Sequence, residues 1–322
     1  MNNETELLRL FSITARELVA GARKKSVTRF NDSLEKMHFI VTDFDPAQKR
    51  IEATATMPAV SASPQIMKIL MLEEAKFGKF IASEAHRFYL ASLVSLERSR
   101  QSQPHNLAWQ VVEHYYAAYY SVHYLMRISG FSLSNLDDKA VKAFKKSALV
   151  PLDKLQAGLS TLEFTEDCRD ITIIKNDKGG GSHKDAWSIW TKILNNLIIA
   201  CQSDPVEYAS TAIKLIEHRR FIAVNDKKFN PSDIRGEVNY QFRGDSWCFE
   251  EKTNDRINMI NQELIDDDYD LFNRSDRIQN LINNNKFIIN LARVFFEYSM
   301  EAYPNGICKS IRHQFKNKIS II

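Results

Sequence analysis

Arg235 is the residue in this chain best suited to act on a phosphate. A guanidinium stays charged at every physiological pH, and its planar fork of N–H donors matches two phosphate oxygens. It can therefore hold a phosphate or stabilise charge developing on one. Arg235 lies in the segment IRGEVNYQF that begins at Ile234. If that segment is a helix, Asn239 shares the face of Arg235 four residues on, and Tyr240 is turned from it. A phenol such as that of Tyr240 is a poor general base at neutral pH. A proton carrier would have to come from elsewhere, and His114, His123, His183 and His218 are the candidates. His114 and His123 sit on one helical run and point to roughly opposite sides, so at most one of them faces Arg235. The plainer alternative for Arg235 is a structural ion pair with a carboxylate.

The run AWQVVEHYYAAYYSVHYLMRISGF, which starts at Ala108, is the second informative stretch. One apolar stripe passes through Val111, Tyr115, Ala118, Val122 and Leu125, and another through Trp109, Val112, Tyr116, Tyr119 and His123. Together they cover most of a helix circumference, which predicts a buried helix. Tyr and His stand where a plain core would take Leu and Ile, so their hydroxyl and imidazole groups need partners inside. Such a cluster often lines a site.

Other clusters are weaker. Gly179-Gly180-Gly181-Ser182-His183-Lys184 places a glycine turn and a cation at a predicted helix start capped by Ser182, where free amides favour anions. His183 and Lys184 are candidate nucleic-acid contacts on that ground, although the segment lacks the spacing and preceding strand of a nucleotide loop. His218-Arg219-Arg220, the stretch from Arg16 to Arg29 and that from Lys309 to Lys318 could meet a phosphate backbone, with Phe221 and Phe315 available for stacking. Arg219 and Arg220 join the candidate list, while solvated faces are the commoner fate of such runs. Asp266 to Asp270 lacks calcium-loop spacing, and no metal or cofactor is expected.

The Tyr-Tyr-Ala-rich helix closing at Ser129-Gly130, followed by further helices and a short helix bearing Arg235, Asn239 and Tyr240, resembles the HEPN superfamily of helical nucleic-acid-associated proteins. The resemblance spans roughly 108–245. Active members of that family are metal-independent ribonucleases with Arg, a polar neighbour and, after a few spacers, His on one helix. Here Gly236 replaces the polar neighbour and Tyr240 stands at the histidine position. Arg100 and His105 reproduce the motif spacing, but Pro104 forbids a continuous helix there. The resemblance implies an RNA-binding component of a prokaryotic antiphage or toxin–antitoxin system, working as a homodimer or with a partner protein. Two alternatives stay open. One is an active endoribonuclease, with Arg235 and Asn239 on the phosphate and 2′,3′-cyclic phosphate products; the other is a protein scaffold without nucleic-acid affinity.

The elements that must position these residues are mainly helical. Residues 4–36 read as one or two amphipathic helices, and HFIVTDFDPAQKRIEATATMPAV as a small β-hairpin turning at Asp45-Pro46-Ala47-Gln48, the one sheet expected. Helical patterns follow over 65–99, 109–131, 136–146, 151–162, 182–198, 206–221, 232–240, 255–264 and 277–303, and Asn283-Asn284-Asn285 is read as a helix surface or turn. The expected fold is thus mainly α: a HEPN-like helical bundle at 105–322, preceded by an accessory helical region with a β-hairpin at 1–104. At 322 residues with a net charge of +3, composition allows an ample core and does not by itself announce a nucleic-acid binder. Four scattered cysteines suit a reducing compartment. The absence of a long apolar run or a signal-like start points to the cytoplasm and away from membranes.

Overall fold

The computed structural model describes residues 3–23, 33–46, 49–53, 58–62, 64–101, 107–176, 181–225, 228–272 and 276–316. In chain order the elements are α1 (Asn3–Thr14), α2 (Glu17–Ala20), β1 (Phe39–Asp45), β2 (Lys49–Ala53), β3 (Pro58–Ala62), β4 (Ile66–Met71), α3 (Glu74–Ser99) and α4 (Leu107–Ile128). Then come β5 (Phe131–Leu136), α5 (Asp138–Lys146), β6 (Gly158–Phe164), β7 (Asp170–Lys175), α6 (Gly181–Ala200) and α7 (Ala209–Ile222). The chain ends with β8 (Ala223–Asn225), β9 (Lys228–Phe229), α8 (Asn230–Tyr240), α9 (Thr253–Ile265), α10 (Arg277–Ala302) and α11 (Ile307–Phe315). Two compact units are interleaved along the chain. One comprises Met1–Thr14, Glu84–Met126 and Ala186–Ile322, the other Ala15–Ser83 and Arg127–Asp185.

The second unit is built on a five-stranded antiparallel sheet in the order β1-β4-β7-β6-β5. This corrects the expected helical bundle with a single hairpin: the protein is mixed α/β. Residues 158–162, expected to be helical, form most of β6, and the predicted β1–β2 hairpin is not made, because β1 pairs with β4 and β2 with β3. Period-two alternation explains the strands. Phe131 and Leu133 alternate with Ser132 and Ser134, and Ile171 and Ile173 alternate with Asp170 and Thr172. One face carries Val41, Ile69, Ile171 and Phe164 in a row across four strands, with Met67, Ile173 and Leu162 beside it. Phe77, in the early turns of α3, packs edge-on against Phe164, and Phe144 of α5 does the same against Phe39. Gly130 turns the chain into β5 at φ 88°. A Cβ there would stand 2.8 Å from the Phe164 carbonyl oxygen, so only glycine fits.

Among its described residues, the first unit is helical apart from the β8–β9 ribbon. Its axis is α10, in which every residue from Leu281 to Ile289 is buried. Asn283-Asn284-Asn285, read from sequence as a helix surface or turn, is buried in the helix together with Lys286. Asn283 donates to Glu263 at 2.8 Å and accepts from the Asp270 amide at 2.7 Å. Asn284 accepts from His218 Nδ1 at 2.9 Å, and Asn285 faces His114 Nδ1 at 3.4 Å. Lys286 Nζ donates to Glu263 at 2.9 Å and to the Asp268 carbonyl at 2.8 Å. Side chains of α4, α7 and α9 and the backbone of the loop after α9 meet this stretch of α10, so polarity lost its usual meaning as a surface mark. Among the described residues, no helix is long and apolar enough to cross a membrane.

Candidate functional site

The site is assembled in the helical unit from α4, α8 and the loop after α8. The α4 helix is buried on most of its circumference, as its two stripes predict, but Trp109, Glu113, Tyr116 and Tyr120 form a partly open row at spacings of four, three and four. Trp109 is 47% exposed. Tyr115, on the closed side, accepts from the Trp187 indole at 3.1 Å, and burial holds its phenol above the ordinary range.

Helix α8 begins at Asn230, two residues before the predicted start at 232, with Pro231 in its first turn and Ile234 and Val238 buried as its anchoring face. That anchoring leaves Arg235 on the flank, facing α4. One of its N–H groups donates to the Tyr116 hydroxyl. The guanidinium also lies over two rings, 5.4 Å from the centroid of Tyr116 and 5.0 Å from that of Tyr240. Tyr240 is therefore gathered onto Arg235 rather than turned from it, since its long side chain at the helix end swings back. The Arg235 Nε is buried without a hydrogen-bond partner, and among the described residues no carboxylate pairs with Arg235. Burial opposes its charge, yet the hydrogen bond it donates to Tyr116 and the surrounding phenols leave its pKa raised. Asn239 is half-buried one turn on.

The loop after α8 was not singled out by sequence, and it is elaborately held. Phe242 and Asp245 have positive φ, 52° and 51°, and Gly244 lies at 118°. Non-glycine residues in that region cost about 1–3 kcal/mol each, so the loop needs support. The Glu250 carboxylate supplies it, accepting from the amides of Asp245, Ser246 and Trp247 at 3.0, 2.8 and 2.7 Å. Arg256 donates to the Gly244 carbonyl at 2.7 Å and pairs with Asp276. The Trp247 indole donates to Val238 O at 2.7 Å. What this scaffold presents is aromatic: Trp247 stacks with Phe249 at 5.6 Å and meets Phe242 and Trp109 edge-on at 5.3 and 6.0 Å. Phe242 and Phe249 are 52% and 66% exposed. The signal present in the sequence was FRGDSWCF, a glycine turn among aromatics.

The remaining candidates do not join this site. Arg219 donates to Asn195 at 2.8 Å, and Arg220 lies 3.9 Å from Glu217. His183 and Lys184 open α6 and belong to the sheet unit, His183 half-buried and Lys184 exposed; the helix starts at Gly181, and 177–180 lie outside the described residues. The stretches 24–30, 102–106 (with Pro104 and His105) and 317–322 also lie outside them. His218 accepts from the Trp190 indole through Nε2 at 3.1 Å and donates from Nδ1 to Asn284, which fixes a neutral ring. Burial pushes its pKa down to about 4 despite the Asn284 bond, and burial with the fields of Lys286 and Arg100 pushes His114 to about 3. His123 is buried, stacked on Phe88 at 4.5 Å.

No family model, curated protein or solved structure matches this chain. Its chemistry has to be read from the site itself. That site offers the Arg235 guanidinium, several π faces and phenols such as Tyr115 and Tyr120, whose pKa values burial raises further above neutral. Such an arrangement suits binding and stacking, and among the described residues it includes no imidazole.

Proposed function

We propose that this protein binds single-stranded RNA without cleaving it, using Arg235 for a phosphate or base face and the rings of Tyr240, Trp109, Phe242, Trp247 and Phe249 for stacking. The observation that carries this reading is Arg235 itself: held between Tyr116 and Tyr240 with no carboxylate partner among the described residues, its charge is left to an external anion. Base–aromatic stacking contributes about 1–3 kcal/mol per base and tolerates any sequence, and a supported aromatic loop beside a cation suits that mode. Tyr240 in the histidine position and the locked, neutral state of His114 and His218 favour binding over catalysis. The resemblance to HEPN proteins, which rests on α4 and α8 sequence alone, supplies the setting: a cytoplasmic component of a prokaryotic antiphage or toxin–antitoxin system, acting as a dimer or with a protein partner.

The test is incubation of the purified protein with labelled single-stranded and structured RNA in EDTA, reading cleavage and retention together, with Arg235→Ala and Trp247→Ala as controls. Retention without cleavage, lost in both variants, is the expected result. Cleavage dependent on Arg235 would make the chain a metal-independent endoribonuclease. A second reading has its own support: exposed rings clustered around a rigid loop also suit the centre of a protein interface. It predicts no RNA retention at any salt concentration.

A further inference from the structure

A cavity of about 230 Å³ opens in the helical unit, outside the aromatic site and unused by the reading above. At roughly 30 Å³ per water molecule, it holds a small organic molecule and little more. Its polar wall carries three cations, Arg100 just past the end of α3 and Lys286 and Arg293 from α10, together with Asp267, Asn290 and the neutral ring of His114 from α4. Leu93, Leu96 and Ile289 make the other wall. The cations are incompletely satisfied. Arg100 pairs with Asp267, but its Nε is buried with no hydrogen-bond partner. Lys286 uses two of its three protons, on Glu263 and the Asp268 carbonyl. Arg293 meets the Asn290 side chain at 2.8 Å and pairs with no carboxylate among the described residues. Asp267 and Glu263 balance two of the three cations, leaving one positive charge in excess beside donors that point at no protein acceptor. The fields of Lys286 and Arg100 reach His114 and, after burial, are what hold its imidazole neutral.

We propose that this cavity binds a small oxyanion, a phosphate or carboxylate group carrying a short apolar substituent. The anion sits among Arg100, Lys286 and Arg293 and the substituent lies against Leu93, Leu96 and Ile289. An oxyanion supplies the acceptors the cations lack and cancels the excess charge, and charge-assisted bonds of this kind are among the stronger ones in proteins. The apolar wall excludes a bare ion as the best fit.

Calorimetric titration of the full chain with phenyl phosphate, benzoate, inorganic phosphate and, as a neutral control, phenol tests this. The expected result is one saturable site for phenyl phosphate or benzoate, with inorganic phosphate weaker and phenol undetectable; which of the first two binds tells phosphate from carboxylate. Arg293→Gln, at the exposed mouth, weakens that binding at least about tenfold, the equivalent of one charge-assisted bond, and leaves Tm unchanged. The His114 ring resonances shift on saturation in the wild type. Absence of saturable binding by both organic anions, or binding that Arg293→Gln leaves untouched, overturns the proposal.

Discussion

Two regions of the helical unit bring polar side chains into close aromatic and aliphatic company, and they treat them in opposite ways. On α10, the side chains of Asn283 and Asn284 are engaged by protein, through Glu263, the Asp270 amide and His218, and Glu263 balances the Lys286 charge. On α8, Arg235 reaches one phenol and two ring faces and keeps a buried, unpartnered Nε. Desolvating a polar group costs more than a single bond returns, so the first arrangement serves the fold and the second leaves capacity for a ligand. What separates them is whether the protein supplies the counter-group, since both regions are built on helices and both are flanked by rings.

The contrast is broken most severely by Glu263→Ala, which strands the Lys286 ammonium in the interior. Stability falls by about 3 kcal/mol, read by urea denaturation; a loss below about 1 kcal/mol would show that water reaches Lys286. Asn284→Ala removes the acceptor of the His218 Nδ1 proton and costs about 2 kcal/mol by the same measurement. Acid sharpens the comparison next. Both His114 and His218 have folded pKa values below the unfolded ~6.5, so the unfolded chain binds more protons as pH falls. Their stabilising effect is complete above about pH 6.5 and is lost as pH drops toward 4, by up to about 1.4 kcal/mol per pH unit for each ring. A plot of Tm against pH for wild type and His218→Gln, whose slopes should differ between pH 6 and 4, checks this. Arg235→Ala has the smallest effect on folding, under about 1 kcal/mol, while abolishing RNA retention. A stability loss as large as that of Glu263→Ala would place Arg235 with α10 as a structural residue.

Much of the helical unit is legible in the sequence, because 3.6-residue periodicity is local: α4, α9 and α10 fall within a few residues of their predicted ranges. The sheet was not legible in the same way. IMKILM at 66–71 joins the apolar stripe of the following helix and reads as its continuation, and its partner β7 lies about a hundred residues away. Strand pairing is decided by contacts that no window of sequence contains. DITIIK carries a local period-two signal of its own, and GLSTLEF does so only over its last few residues. At the site, the Arg235 flank was legible from helix geometry. The fold of Tyr240 onto it, and the loop that Glu250 fastens, required knowing where the chain turns back after Gln241.

The buried polar turn of α10 also governs how the helical unit comes apart. Four consecutive side chains have four different sets of partners on other segments, so the helix cannot slide by a residue or rotate by a turn without leaving several of them dry and unpaired. Leucine-only contacts would tolerate a slipped helix; these do not. Partial detachment of α10 is thereby disfavoured as an intermediate. The amides from Leu281 to Ile289 are expected to exchange with deuterium only when the whole unit opens, at one common rate, long after those of the loop around Trp247.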